Sequence, residues 1–117
     1  MTVPKDVEIA SEAVRSACHS IYDETLSISD IYKTLTLLRE LTGRKHDLIN
    51  KLEAALIRAR DGEDLRVDTD GIGTSDELIG LSCHHLLEVK AHLLDASKSL
   101  NEASNLTSHI GYNHKIE

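Results

Sequence analysis

"ISDIYKTLTLLRELTGRKHDLINKLEAALIRAR", residues 28–60, contains no proline and a single glycine, Gly43. Projected at about 100° per residue, its apolar side chains fall into two stripes rather than one. Ile28, Ile31, Leu35, Leu38, Ile49 and Leu56 form the first, and Leu37, Leu41, Leu48, Leu52, Ala55 and Ala59 form the second on a different side. Each large apolar side chain left in water forgoes about 1.5–3 kcal/mol, so a helix apolar on two sides calls for cover on two sides. The segment is therefore the expected central helix of a helical fold, over about 29–61. Gly43 costs about 1 kcal/mol relative to alanine inside a helix, which opens the alternative of a break at "LTGRKHD" (41–47) and four helices in all. The stripes stay in phase across it, which favours continuity.

The flanking punctuation agrees. Ser27 followed by Asp30 resembles a capping box at the helix start, and Gly62 stands where a left-handed C-cap is expected. Upstream, Val7, Ala10, Val14, Ala17, Ile21 and Thr25 recur at spacings of three and four, giving a first amphipathic helix over about 6–26 with Pro4 outside it. Downstream, Thr74 and Glu77 in "TSDE" (74–77) mark the start of a third helix, reaching to about 109. Leu78, Ser82, His85, Val89, Leu93, Ala96, Leu100, Ala103 and Thr107 line its main expected face, and Cys83, Leu87 and Leu94 form a smaller stripe elsewhere. An acidic loop, 62–74, and a polar tail, 111–117, complete the chain.

Composition limits what such a chain can do. Its 117 residues suit one domain, and with no Phe or Trp the core must come from Leu, Ile, Val and Ala, which is the chemistry of helical bundles. Thirteen basic against twenty acidic residues give a net charge of −7, which opposes binding to the phosphate backbone of nucleic acids. Cys18 and Cys83 match no zinc or redox spacing. No secretory or membrane-spanning run is evident, so a cytoplasmic setting is the expectation.

Three stretches invite a chemical reading. The first, "DTDGIG" (68–73), looks like the front of a calcium loop, which needs oxygen ligands at positions 1, 3, 5 and 12 around a glycine at 6. Starting at Asp68 puts Ile72 at position 5 and Ile79 at 12; starting at Arg66 puts a cation at position 1. Neither register serves, so an acidic turn is expected. The second is "CHHLLEVKAHLLD" (83–95), in which His84, Glu88, His92 and Asp95 project from about an 80° sector of one helix. With ligands from a second helix or copy this stripe is an alternative metal site; alone it is a polar flank of local Glu–His pairs.

The third, Arg39 to His46, reads Arg, six residues, His, and resembles the Arg-x4–6-His motif of the HEPN family of helical ribonucleases. The resemblance covers eight residues. It implies an alternative function in which Arg39 and His46 act on a scissile phosphate across a dimer interface. The residue after the arginine is Glu40, an adverse charge beside phosphate. No cluster of the Glu-Glu-x-x-Glu kind used by MazG-type pyrophosphohydrolases occurs, and there is no phosphate loop or nucleophile elbow.

The expected architecture is thus all-α: an antiparallel three-helix bundle built on a long helical hairpin, the second and third helices each reaching about 50 Å. A shorter first helix covers only part of that hairpin. Leu37, Leu41, Leu48 and Leu52, with Cys83, Leu87 and Leu94, are the apolar residues left for an interface with a second copy or a partner protein. The expected function is a non-enzymatic interaction module, an adaptor, regulator or accessory subunit, needing no cofactor.

Overall fold

The computed structural model describes residues 2–62, 64–68 and 70–111. It is all-α, with helices α1 (Val3–Asp23), α2 (Ile28–Gly62) and α3 (Ser75–Thr107), and no strand among the described residues. The long hairpin of α2 and α3 is present, and α2 runs unbroken through Gly43.

Local chemistry sets each boundary. Helix α1 begins earlier than its apolar spacing suggests, because Thr2 caps it, the hydroxyl accepting from the Lys5 N–H at 3.4 Å. Pro4 consequently lies within the helix rather than outside it. The first turn is where proline is tolerated, since its missing N–H would have had no intrahelical acceptor. At the other end α1 stops at Asp23 rather than near Leu26. Glu24 is extended, at φ −116° and ψ 143°, and leads into the cap of the next helix. That cap is reciprocal: the Asp30 N–H donates to the Ser27 hydroxyl at 3.0 Å, and the Ser27 N–H donates to the Asp30 carboxylate at 3.4 Å.

The reversal between α2 and α3 falls elsewhere than expected. Gly62 does not adopt a left-handed conformation; Gly71 (φ 82°) and Gly73 (φ 126°) do. The backbone therefore turns immediately before α3. There Thr74 accepts from the Glu77 N–H at 3.2 Å, and its hydroxyl donates to the Glu77 carboxylate, also at 3.2 Å. Helix α3 ends at Thr107, two residues before the expected 109, and the His109 and Ile110 N–H groups make shorter-range bonds to Leu106 and Thr107. The tail from 112 onward lies outside the described residues.

Polar contacts fix the register of the hairpin. Thr36 meets Ser104, Arg39 meets Asn101, and Asn50 meets Lys90. Moving from 36 to 39 to 50 along α2 is matched by equal steps back along α3. Among the residues withdrawn from solvent, one row on each helix alternates at spacings of four and three: Leu35, Arg39, Thr42, His46, Ile49, Glu53 and Leu56 on α2, and Ile79, Cys83, Leu86, Lys90, Leu93, Ser97, Leu100, Ser104 and Thr107 on α3. A repeat of 3.5 residues is that of a left-handed coiled-coil pair. In consequence Ser82, His85, Val89 and Ala96, expected on the packed face of α3, are exposed, and Cys83, Leu86, Lys90 and Ser97 take their place. Only Leu93, Leu100 and Thr107 lie on both rows.

Burial is shallow. Among the described residues, Ile79 and Ser104 alone are buried, at 7% and 4% exposure. No Cα atom of α1 comes within 8 Å of α2 or α3, so α1 runs beside the hairpin without closing onto it. The chain extends over 75 × 26 × 25 Å with a radius of gyration of 20.3 Å, against about 13 Å for a compact domain of this length.

Candidate functional site

The space between α1 and α2 is an open apolar cleft of about 540 Å³. Val3, Val7, Ala10 and Val14 line it from α1, and Leu41 and Leu48 from α2. Its edges are charged with opposite signs, Asp6 on the α1 side and Arg44 and Lys45 on the α2 side. None of these three charges is in an ion pair among the described residues, whereas their neighbours are locally paired, Lys5 with Glu8 at 3.3 Å and Lys51 with Asp47 at 3.1 Å. The α1 half of this wall was legible only in part: the spacing of Val7, Ala10 and Val14 marks the face, while Val3 fell outside the expected helix. Thr2 and Pro4 were the signals that extend the helix to include it.

The residues expected at an interface are distributed over three places. Leu41 and Leu48 are half-buried in the cleft, with Leu37 and Leu52 exposed on the same side of α2. Cys83 occupies a half-buried position in the α2–α3 seam. Leu87 and Leu94 are exposed, at 58% and 52%, on a flank of α3 separate from the cleft.

The chemical alternatives are placed as follows. Arg39 and His46 both lie in the α2–α3 seam, seven residues apart on one face. The Arg39 guanidinium donates to the Asn101 side-chain oxygen across the hairpin, so it is committed to holding two helices together. In the histidine stripe, His84 Nε2 lies 3.1 Å from Glu88 Oε1, and the His84 and His85 rings meet edge-on at 5.9 Å. His84, Glu88, His92 and Asp95 are all exposed, and no group of three metal-ligating side chains converges among the described residues. In the acidic turn, Asp68 pairs with Arg66 at 3.0 Å, and the Glu77 carboxylate is held by Thr74. Carboxylates occupied in this way are not gathered around a common point. Near the turn, the hydrogen bond that Arg60 Nε–H donates to the Asp61 carboxylate at 3.1 Å, reinforced by that carboxylate's charge, raises the Arg60 guanidinium above its ordinary value.

Among the described residues no helix is long and apolar enough to cross a membrane. Among the described residues the cleft combines a shape, an apolar lining and edge charges that are in no ion pair. Comparison with family models, with curated proteins and with solved structures found no match.

Proposed function

We propose that the protein acts by binding, as a helical interaction module whose working form is a homodimer, in the role of an adaptor, regulator or accessory subunit. The observation that carries this is its surface. A compact monomer of 12.9 kDa exposes about 6,300 Å², and this chain exposes 9,410 Å², about 3,100 Å² more. A standard protein interface buries about 800 Å² on each partner, and obligate dimers bury more, so association can recover a substantial part of the excess. Val7, Val14, Ile21, Leu37, Leu52, Leu87 and Leu94 are among the large apolar side chains left in solvent, far beyond the scattered exposure ordinary for a monomer.

Native mass spectrometry combined with sedimentation equilibrium over 1–100 µM tests the proposal. A dimer that dissociates on dilution is expected. A chain that stays monomeric at 100 µM would overturn it.

A further inference from the structure

We infer that the homodimer forms through the cleft between α1 and α2, with α1 of a second copy as its occupant. The inference rests on the homodimeric reading above. On α1, the cleft-lining positions Val3, Val7, Ala10 and Val14 continue in Ala17 and Ile21, and the steps run four, three, four, three, four. This is the a/d pattern of a coiled-coil strand, and every one of these residues is exposed. A surface with helical knobs at that spacing accepts a helix, and α1 of a second copy presents the same pattern with its own knobs uncovered. A two-fold axis then satisfies both copies at once, since each gives and receives the same contact.

Charge selects the same occupant. With α1 of one copy seated on α2 of the other, Asp6 of each chain can approach Arg44 and Lys45 of its partner. The pairing supplies counter-charges on both sides of the axis to groups that are in no ion pair among the described residues. The chain carries a net −7, so a seam that matches opposite charges is needed to set against the general repulsion between copies. Leu87 and Leu94 are exposed on α3 and are not among the residues that line this cleft.

A charge-swap mixing experiment tests the seam. One variant carries Asp6→Lys; the other carries Arg44→Asp with Lys45→Asp. Each alone places like charges across both halves of the two-fold contact and should self-associate at least tenfold more weakly than wild type. Mixed in equal amounts, the two should form a heterodimer in excess of the statistical half, because both contacts are restored only between unlike chains. Circular dichroism confirms that each variant keeps its helix content. A parallel variant, Leu87→Asp with Leu94→Asp, should dimerise within twofold of wild type. Normal self-association of the charge variants, or purely statistical mixing, overturns the cleft as the seam while leaving a homodimer in place. A dimer lost only on changing Leu87 and Leu94 overturns it in favour of α3. A monomeric wild type defeats the homodimer itself, and with it the seam.

Discussion

Lys90 reaches from α3 to α2 and donates to Glu53 Oε1 at 3.0 Å and to Asn50 Oδ1 at 3.1 Å. Its side chain is 13% exposed and that of Glu53 22%, so the pair lies inside the hairpin seam rather than on its rim. Lys90 occupies a seam position, its ammonium satisfied by two oxygens that the register places opposite it. A seam built only from leucines could slip by a heptad with little change in contact; a lysine with one matching carboxylate cannot.

Removing one member of that pair should therefore cost more than removing both. Lys90→Met leaves the Glu53 carboxylate without its cation and should destabilise the hairpin by about 1–3 kcal/mol, the lower part of the range reflecting residual solvation of Glu53. Changing both Lys90 and Glu53 to leucine should restore stability to near wild type, because an apolar pair fits the same seam. Urea denaturation of Lys90→Leu, of Glu53→Leu and of the double variant measures the coupling. Additive losses would show that the two residues act independently.

Arg39 is the residue on which the ribonuclease alternative and the structural account diverge. Bonded to Asn101, it should behave as a stabilising cross-link: Arg39→Ala lowers stability by about 1–2 kcal/mol, and Asn101→Ala reproduces much of that loss. Purified wild-type protein should leave single- and double-stranded RNA intact. Cleavage that disappears in both Arg39→Ala and His46→Ala, with dimerisation unchanged, would restore the catalytic role.

The two kinds of glycine in the chain make opposite predictions. Gly43 is in mid-helix, and a Cβ there would meet nothing within 4 Å, so Gly43→Ala should stabilise by about 0.5–1 kcal/mol. Gly73 has φ 126°, a region that side chains rarely adopt, and its added Cβ would also touch the Glu77 carboxylate at 3.4 Å. Gly73→Ala should destabilise by about 1–2 kcal/mol. Thermal unfolding resolves the signs; a gain at Gly73 would mean that the turn before α3 rearranges freely.

Much of the fold was legible because hydrophobic spacing and capping residues act locally. Ser27, Asp30, Thr74 and Glu77 announced the helix starts; the two phases of Leu and Ile along α2 called for cover on two sides, whereas α3 covers one and Leu37 and Leu52 stay exposed on the other. The seam face of α3 was less legible. Counting apolar residues at a straight helical repeat favours Val89 and Ala96, whereas the supercoiled pair turns Lys90 and Ser97 inward. Hydropathy places lysine outside; only the opposite strand, with Glu53 and Asn50 in register, makes it an interior residue. The cleft was hidden for a related reason. A pattern on α1 shows that the helix has an apolar face but not how far that face stands from its neighbour. The open gap beside Leu41 and Leu48 is a tertiary fact with no local signature.

Ser104 marks the place where α2 and α3 leave no room for a larger side chain. It is 4% exposed, and its hydroxyl lies 3.0 Å from that of Thr36. Thr36 donates its own proton to the Tyr32 carbonyl at 3.1 Å, so Ser104 must be the donor between the two. Ser104→Ala removes one hydrogen bond and leaves Thr36 satisfied by Tyr32, at a cost of about 0.5–1.5 kcal/mol. Ser104→Leu keeps the seam apolar but replaces one hydroxyl oxygen by three carbons, a net gain of two heavy atoms in a contact that is 4% exposed, and should cost about 1–3 kcal/mol more than alanine does. Hydropathy alone would rank leucine as the better residue at this seam position. Equilibrium urea curves for the two variants decide between the accounts: a more stable leucine variant would mean that the helices can separate there, and a less stable one that the Thr36–Ser104 contact sets their spacing.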